Sequence, residues 1–195
     1  LILPPNNKYT NGTTINFLWQ KSIDAGSGIT NYQVYTNGRL AATVSWNFTN
    51  WTSPVLREGV HTWRIKPYDR AGMTNVSLTW TVTVDRTAPT APTLILPPNT
   101  KMTNGLSVNM MWQKSTDALS GITNYQVFTN GVLAATVSWT ITNWTAGPTI
   151  REGTHTWRVK PYDRAGNTNV SLQWTFIVDR TAPSAPGLIL HPDNK

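Results

Sequence analysis

Residues 31–44 read NYQVYTNGRLAATV. Tyr32 and Val34 alternate with Gln33 and Tyr35, Asn37-Gly38 interrupts, and a second short run follows. A period of two sends successive side chains to opposite faces of a pleated strand. Asn-Gly suits a two-residue turn, which needs positive φ at both central positions. The stretch therefore predicts a β-hairpin with one buried face.

The same period continues on either side. Ile15, Phe17 and Trp19 alternate with Asn16, Leu18 and Gln20. Trp63 and Ile65 alternate with Thr62, Arg64 and Lys66, and Leu78, Trp80, Val82 and Val84 alternate with threonines. No segment keeps a 3.6-residue period over a helical length. About seven short strands in roughly 90 residues predict an all-β, Greek-key β-sandwich.

The pattern occurs twice. Leu1-Ile2-Leu3-Pro4-Pro5-Asn6 returns as Leu94-Ile95-Leu96-Pro97-Pro98-Asn99, and YDRAGMTN from Tyr68 returns as YDRAGNTN from Tyr162. The opening motif starts again at Leu188-Ile189-Leu190. A unit of this length exceeds a solenoid repeat and matches a small independent domain. The expected organisation is a first bead over 1–86, a proline-rich linker over 87–93 and a second bead over 94–180. A second linker follows over 181–187, and 188–195 begins a third bead. Pro89 and Pro92 fix φ and remove donors, so they end a strand and stiffen the passage between beads. The chain starts at Leu1 rather than Met and breaks off inside a repeat, so it is expected to be part of a longer array.

Composition narrows the function classes. The chain has 195 residues, is 39% hydrophobic and contains no cysteine, which permits a core and excludes disulfides, thiol catalysis and Cys-bound metal. Net charge is +7, but Lys and Arg are scattered singly, which argues against a nucleic-acid partner. No stretch is apolar enough to span a membrane.

With these residues in view, the chain resembles the tandem immunoglobulin-like and fibronectin type III-like repeats of large bacterial surface and secreted proteins. The likeness rests on LILPPN, FLWQ with Trp19, DAGSGITNYQVYTNG, REGVHTWRIKPYDRAGMTN and VDRTAP, in order and twice over. Arg86 and Arg180 depart from it, standing where such repeats carry a small polar residue. The resemblance implies a sandwich and leaves function open among spacer, adhesin and enzyme accessory.

Trp19, Trp63 and Trp80 fall on inward phases and read as core. Trp46 and Trp51, with Trp139 and Trp144 in the copy, have no clear phase; exposed, they could stack on sugar rings. Arg64, Lys66 and Tyr68, repeated as Arg158, Lys160 and Tyr162, would form a basic-aromatic strip able to grip a glycan. Asp69 and Asp163 read as turn caps beside Gly72 and Gly166 rather than as calcium ligands, because each bead has four acids scattered in sequence. One histidine per bead, His61 and His155, is too few for a metal site. Sequons occur at Asn11, Asn47, Asn50, Asn75, Asn143 and Asn169. No catalytic set, cofactor or metal is expected.

The leading expectation is a structural segment of an extracellular, cell-surface protein: a stalk, fibre or coat unit whose partners are neighbouring beads and other copies of the chain. The alternative is an adhesin or glycan-binding accessory module for acidic or neutral polysaccharide. The apolar opening triplet Leu94-Ile95-Leu96 is expected to form the first strand of its own bead, with packing against the preceding bead as the other option.

Overall fold

A computed structural model describes residues 1–148 and 150–187. The start of a third bead at 188–195 lies outside the described residues. The first bead holds β1 (Lys8–Thr10), β2 (Asn16–Leu18), β3 (Ile29–Thr36), β4 (Arg39–Ser45), β5 (Asn50–Thr52), β6 (Gly59–Asp69) and β7 (Trp80–Val84). The second holds β8 (Leu94–Leu96), β9 (Lys101–Thr103), β10 (Val108–Trp112), β11 (Ile122–Thr129), β12 (Val132–Ser138), β13 (Asn143–Ala146), β14 (Gly153–Asp163) and β15 (Trp174–Val178). No helix among the described residues is long and apolar enough to cross a membrane.

Each bead pairs a five-stranded sheet with a smaller one. The larger sheets run β1-β7-β6-β3-β4 and β12-β11-β14-β15-β9, and the smaller ones β2-β5 and β13-β10-β8. This is the all-β sandwich that the alternation predicts. The Asn37-Gly38 hairpin forms as expected, with φ of 50° and 76°, and joins β3 to β4.

Two separate cores follow from the inward phases. Ile15, Phe17, Trp19, Tyr32, Val34, Trp63, Ile65, Val82 and Val84 are buried in the first bead. Their counterparts, from Val108 and Met110 to Phe176 and Val178, fill the second. Burying such a set of aliphatic and aromatic side chains is the main force for folding each bead.

The opening strand divides between sheets. Leu94 is buried and faces Trp112 in the small sheet, while Lys101–Thr103 runs parallel to β15 in the large one. Between them lie Pro97 and Pro98, which cannot donate to a ladder. The LIL triplet thus belongs to its own sandwich, with Ile95 and Leu96 on the outside.

One inward phase fails. Leu78 does not join its alternation partners Trp80, Val82 and Val84 inside; it is 79% exposed, as is Leu172. The strand begins only at Trp80 because Ser77 is tied back to β6: its N–H donates to the Ile65 carbonyl and its hydroxyl accepts from the Ile65 N–H. That closure turns the chain outward at Leu78. Trp80 itself is half-buried, edge-on to Trp63 at 5.9 Å.

Candidate interaction surface and bead junction

The tryptophans of SWNFTNWT take different positions. Trp51 lies on β5, half-buried and stacked on Phe17 at 5.8 Å, whereas Trp144 packs on the second core opposite Met110. Trp46 and Trp139 follow β4 and β12 and are 42% and 41% exposed. Lys21 Nζ sits 4.2 Å from the Trp46 ring centre, and Lys114 Nζ 3.9 Å from that of Trp139. A groove of about 480 Å³ opens beside Trp46, lined also by Gln20, Lys21, Ile23, Ile29 and Arg70. Each of these indoles thus has a lysine ammonium over its ring.

The basic-aromatic strip forms on the outward side of β6. Opposite it on β3, Tyr35 pairs with Arg64, Gln33 with Lys66 and Asn31 with Tyr68. The Arg64 guanidinium lies 5.2 Å from the Tyr35 ring, and Lys66 Nζ lies 5.0 Å from the Tyr68 ring. The Tyr68 hydroxyl raises the Lys66 ammonium above its ordinary value. In the second bead Arg158 stands over Phe128, and Lys160 over Tyr162, at 5.3 and 5.0 Å. The cations are therefore partly engaged by their own sheet.

The sequons fall on exposed residues, from Asn11, Asn47, Asn50 and Asn75 to Asn143 and Asn169. Asn169 has a second role, described below. His61 is held by two bonds: Asn37 Nδ2 donates to its Nδ1, and its Nε2 reaches the Arg57 carbonyl at 2.8 Å. This makes it a clip between the hairpin turn and the loop before β6.

Sequence reasoning missed the junction between beads. The linker is not a bare tether: Pro89 and Pro92 are buried, and Thr90 N–H donates to the Thr116 carbonyl at 2.9 Å. From the second bead, Asn167 Nδ2 donates to the Asp85 carbonyl at 2.8 Å, and Asn169 Nδ2 to the Pro89 carbonyl at 2.9 Å. The Arg164 guanidinium stands 5.7 Å from the Tyr9 ring of the first bead. Arg86 turns the other way. Its Nη2 donates to the Gly12 and Leu56 carbonyls of its own bead at 3.0 and 2.9 Å, and its backbone N–H donates to Glu58. Arg180 repeats the pattern with Gly105, Ile150 and Glu152.

The acids also behave differently in space than along the chain. Asp24 Oδ1 accepts from Ser27 and Gly28, and Asp117 Oδ1 from Ser120 and Gly121, closing the loop before β3 or β11. The Gly28 and Ser27 N–H groups hold the Asp24 carboxyl below the usual range. Asp69 and Asp163 accept from Met73 and Asn167, the turn-capping role expected for them. Yet Asp85, Asp117 and Asp163 converge: one carboxylate oxygen from each lies within 4.8 Å of the others.

No family model matches the chain. It is 32% identical to chitinase A1 of Niallia circulans, over 94% of this chain and 27% of that protein. It is 38% identical to chitinase D of the same organism, over 42% of this chain and 15% of that protein. The chain thus spans 27% and 15% of the lengths of these two curated relatives. Among solved structures it resembles the Clostridium thermocellum CbhA fibronectin(III)-like modules, with a TM-score of 0.63 at 13% identity, covering 96% of this chain and 98% of that one. It also resembles chicken CNTN1 FN1-FN3 domains, with a TM-score of 0.56 at 13% identity, over 90% of this chain and 65% of that one. Its fold is that of fibronectin type III-like β-sandwiches in tandem.

Proposed function

We propose that this segment is a semi-rigid, non-catalytic spacer in an extracellular protein that acts on or at a polysaccharide. The observation that carries the reading is the bonded junction. The Asn167, Asn169 and Thr90 contacts and two buried linker prolines fix one bead on the next. Such a junction sets distance and direction between whatever stands at the two ends. Similarity to chitinases over a minor part of their length supports the accessory role and brings no catalytic centre with it. The beads proposed are 1–86 and 94–180, with 87–93 and 181–187 as linkers. Small-angle scattering of the 195-residue chain tests the reading. An elongated two-bead particle of narrow shape distribution is expected, and beads folded side by side would overturn it.

A second reading is favoured by Trp46 and Trp139, which offer equivalent exposed indoles on successive beads. In this reading the array itself holds the polysaccharide, with the Arg64-Lys66 strip as a weaker contact. Retention on chitin that falls in Trp46→Ala/Trp139→Ala supports it. Equal retention of the variant, or none by the parent chain, removes it. Assembly of such rods into fibres or a coat is checked by electron microscopy at physiological salt.

A further inference from the structure

We propose that the outward faces of β6 and β14 bind an anionic polysaccharide, held through Arg64 and Lys66 on the first bead and Arg158 and Lys160 on the second. This rests on the reading in which the array itself holds polysaccharide, and it names the charge of the polymer and a surface apart from Trp46 and Trp139.

Charge on the larger sheets is one-sided. Their ten strands contain only two acids, Asp69 and Asp163, the last residues of β6 and β14. Both share the inward phase of Trp63 and Trp157, and both are occupied in capping the following turn. Glu58, just before β6, accepts from the Arg86 N–H and the Thr87 hydroxyl, and Asp24 is closed into its own loop. The groups facing Arg64 and Lys66 across the sheet are instead neutral: Tyr35 and Gln33, with Asn31 opposite Tyr68. Phe128, Gln126 and Asn124 take these places in the second bead. Each strip is thus a pair of half-buried cations without a carboxylate partner, flanked by amides. Charge complementarity calls for an anion, and the amides suit the hydroxyls of a sugar.

The two copies single out these positions. Elsewhere on the same face Val60 is replaced by Thr154, Thr83 by Ile177 and Tyr35 by Phe128. Arg64, Lys66, Tyr68 and the facing Asn31 and Gln33 return unchanged as Arg158, Lys160, Tyr162, Asn124 and Gln126.

A nucleic acid fits this face less well. Proteins that hold single strands offer rings on which bases stack along a continuous basic groove. Here each ring beside the strip already carries a cation over it, and two cations per bead make no continuous track. Exposed ion pairs are individually weak and screened by salt. One strip therefore binds weakly, and a polymer that reaches both beads gains by avidity.

Affinity electrophoresis of the 195-residue chain through gels containing polygalacturonate, with hydroxyethyl cellulose as the uncharged comparison, tests this. Retardation by polygalacturonate alone is expected, with release as salt is raised. Arg64→Gln/Lys66→Gln should remove more than half of it, because the second contact is lost with the first. The fourfold variant that adds Arg158→Gln/Lys160→Gln should abolish it. A charge-matched variant, Lys8→Gln/Arg57→Gln/Lys101→Gln/Arg151→Gln, changes four exposed cations off the strip and should keep most of it. Near-UV circular dichroism like that of the parent shows that the variants fold. No retardation of the parent, equal loss in both fourfold variants, or stronger retardation by single-stranded DNA overturns the proposal. Trp46→Ala/Trp139→Ala should leave polygalacturonate retardation unchanged, so loss of chitin retention and loss of this binding are separate results.

Discussion

Asn169 donates through Nδ2 to the carbonyl of Pro89, 2.9 Å away, so a loop of the second bead grips the linker that leads into it. Asn167 grips the Asp85 carbonyl beside it. Each such bond stabilises the docked arrangement by about 0.5–1.5 kcal/mol. The double variant Asn167→Ala/Asn169→Ala should leave both beads folded while letting them tumble separately. NMR relaxation checks this: one shared rotational correlation time is expected in the parent and shorter, independent times in the variant. Since Asn169 is also a sequon, glycosylation there should loosen the junction in the same direction.

Tyr125 reaches from β11 to accept the Ser115 N–H at 2.7 Å, and Tyr32 repeats this with Ser22 at 2.8 Å. Ser115 is buried, so loss of its acceptor leaves a donor with no water to replace it. Tyr125→Phe should therefore cost about 1–3 kcal/mol of second-bead stability. Urea unfolding followed by bead-specific probes measures it. A loss confined to the first bead would contradict the assignment.

How much of this was legible in the sequence depends on the range of the interaction. Period-two runs such as Ile15-Phe17-Trp19 and Tyr32-Val34 showed the buried faces, and Asn37-Gly38 marked its turn, because these signals are local. The run through Leu78 misled because Ser77 closes onto Ile65, a contact twelve residues away that period counting does not contain. Trp51 has no readable phase because its strand is three residues long and its partner Phe17 lies far upstream. Asp85, Asp117 and Asp163 are well separated along the chain, and Asp85 joins the other two only where the beads meet, so no spacing rule points to them.

Arg86 fastens the end of the first bead to the Gly12 and Leu56 carbonyls. Arg86→Ala should destabilise the first bead by about 1.5–3 kcal/mol, the range for hydrogen bonds to a charged group. Arg180→Ala should do the same to the second bead and leave the first unchanged. Differential scanning calorimetry of the two variants should show opposite halves of the transition moving.

The Asp24 carboxyl is held below its ordinary 3.8 by the N–H groups of Gly28 and Ser27. A carboxyl depressed in the folded state contributes stability that is complete above the unfolded pKa and is lost as pH falls through the folded one. The first bead should therefore lose stability as pH drops below 3.8, and Asp24→Asn should flatten that part of the profile while keeping the acceptor oxygen. Thermal melting in EDTA across acid pH checks the slope. An identical slope in the variant would assign the acid loss to other carboxyls.

The parallel pairing of β1 with β7, and of β9 with β15, has a mechanical meaning. Load carried along the array enters a bead near its first long-sheet strand and leaves through its last, and these two lie side by side pointing the same way. Pulling on the start of one and the end of the other slides the pair lengthwise. The hydrogen bonds between them then share the load and must break together, instead of opening one after another like a zipper. Each bead can thus bear tension along the line of the polymer while remaining easy to peel from other directions.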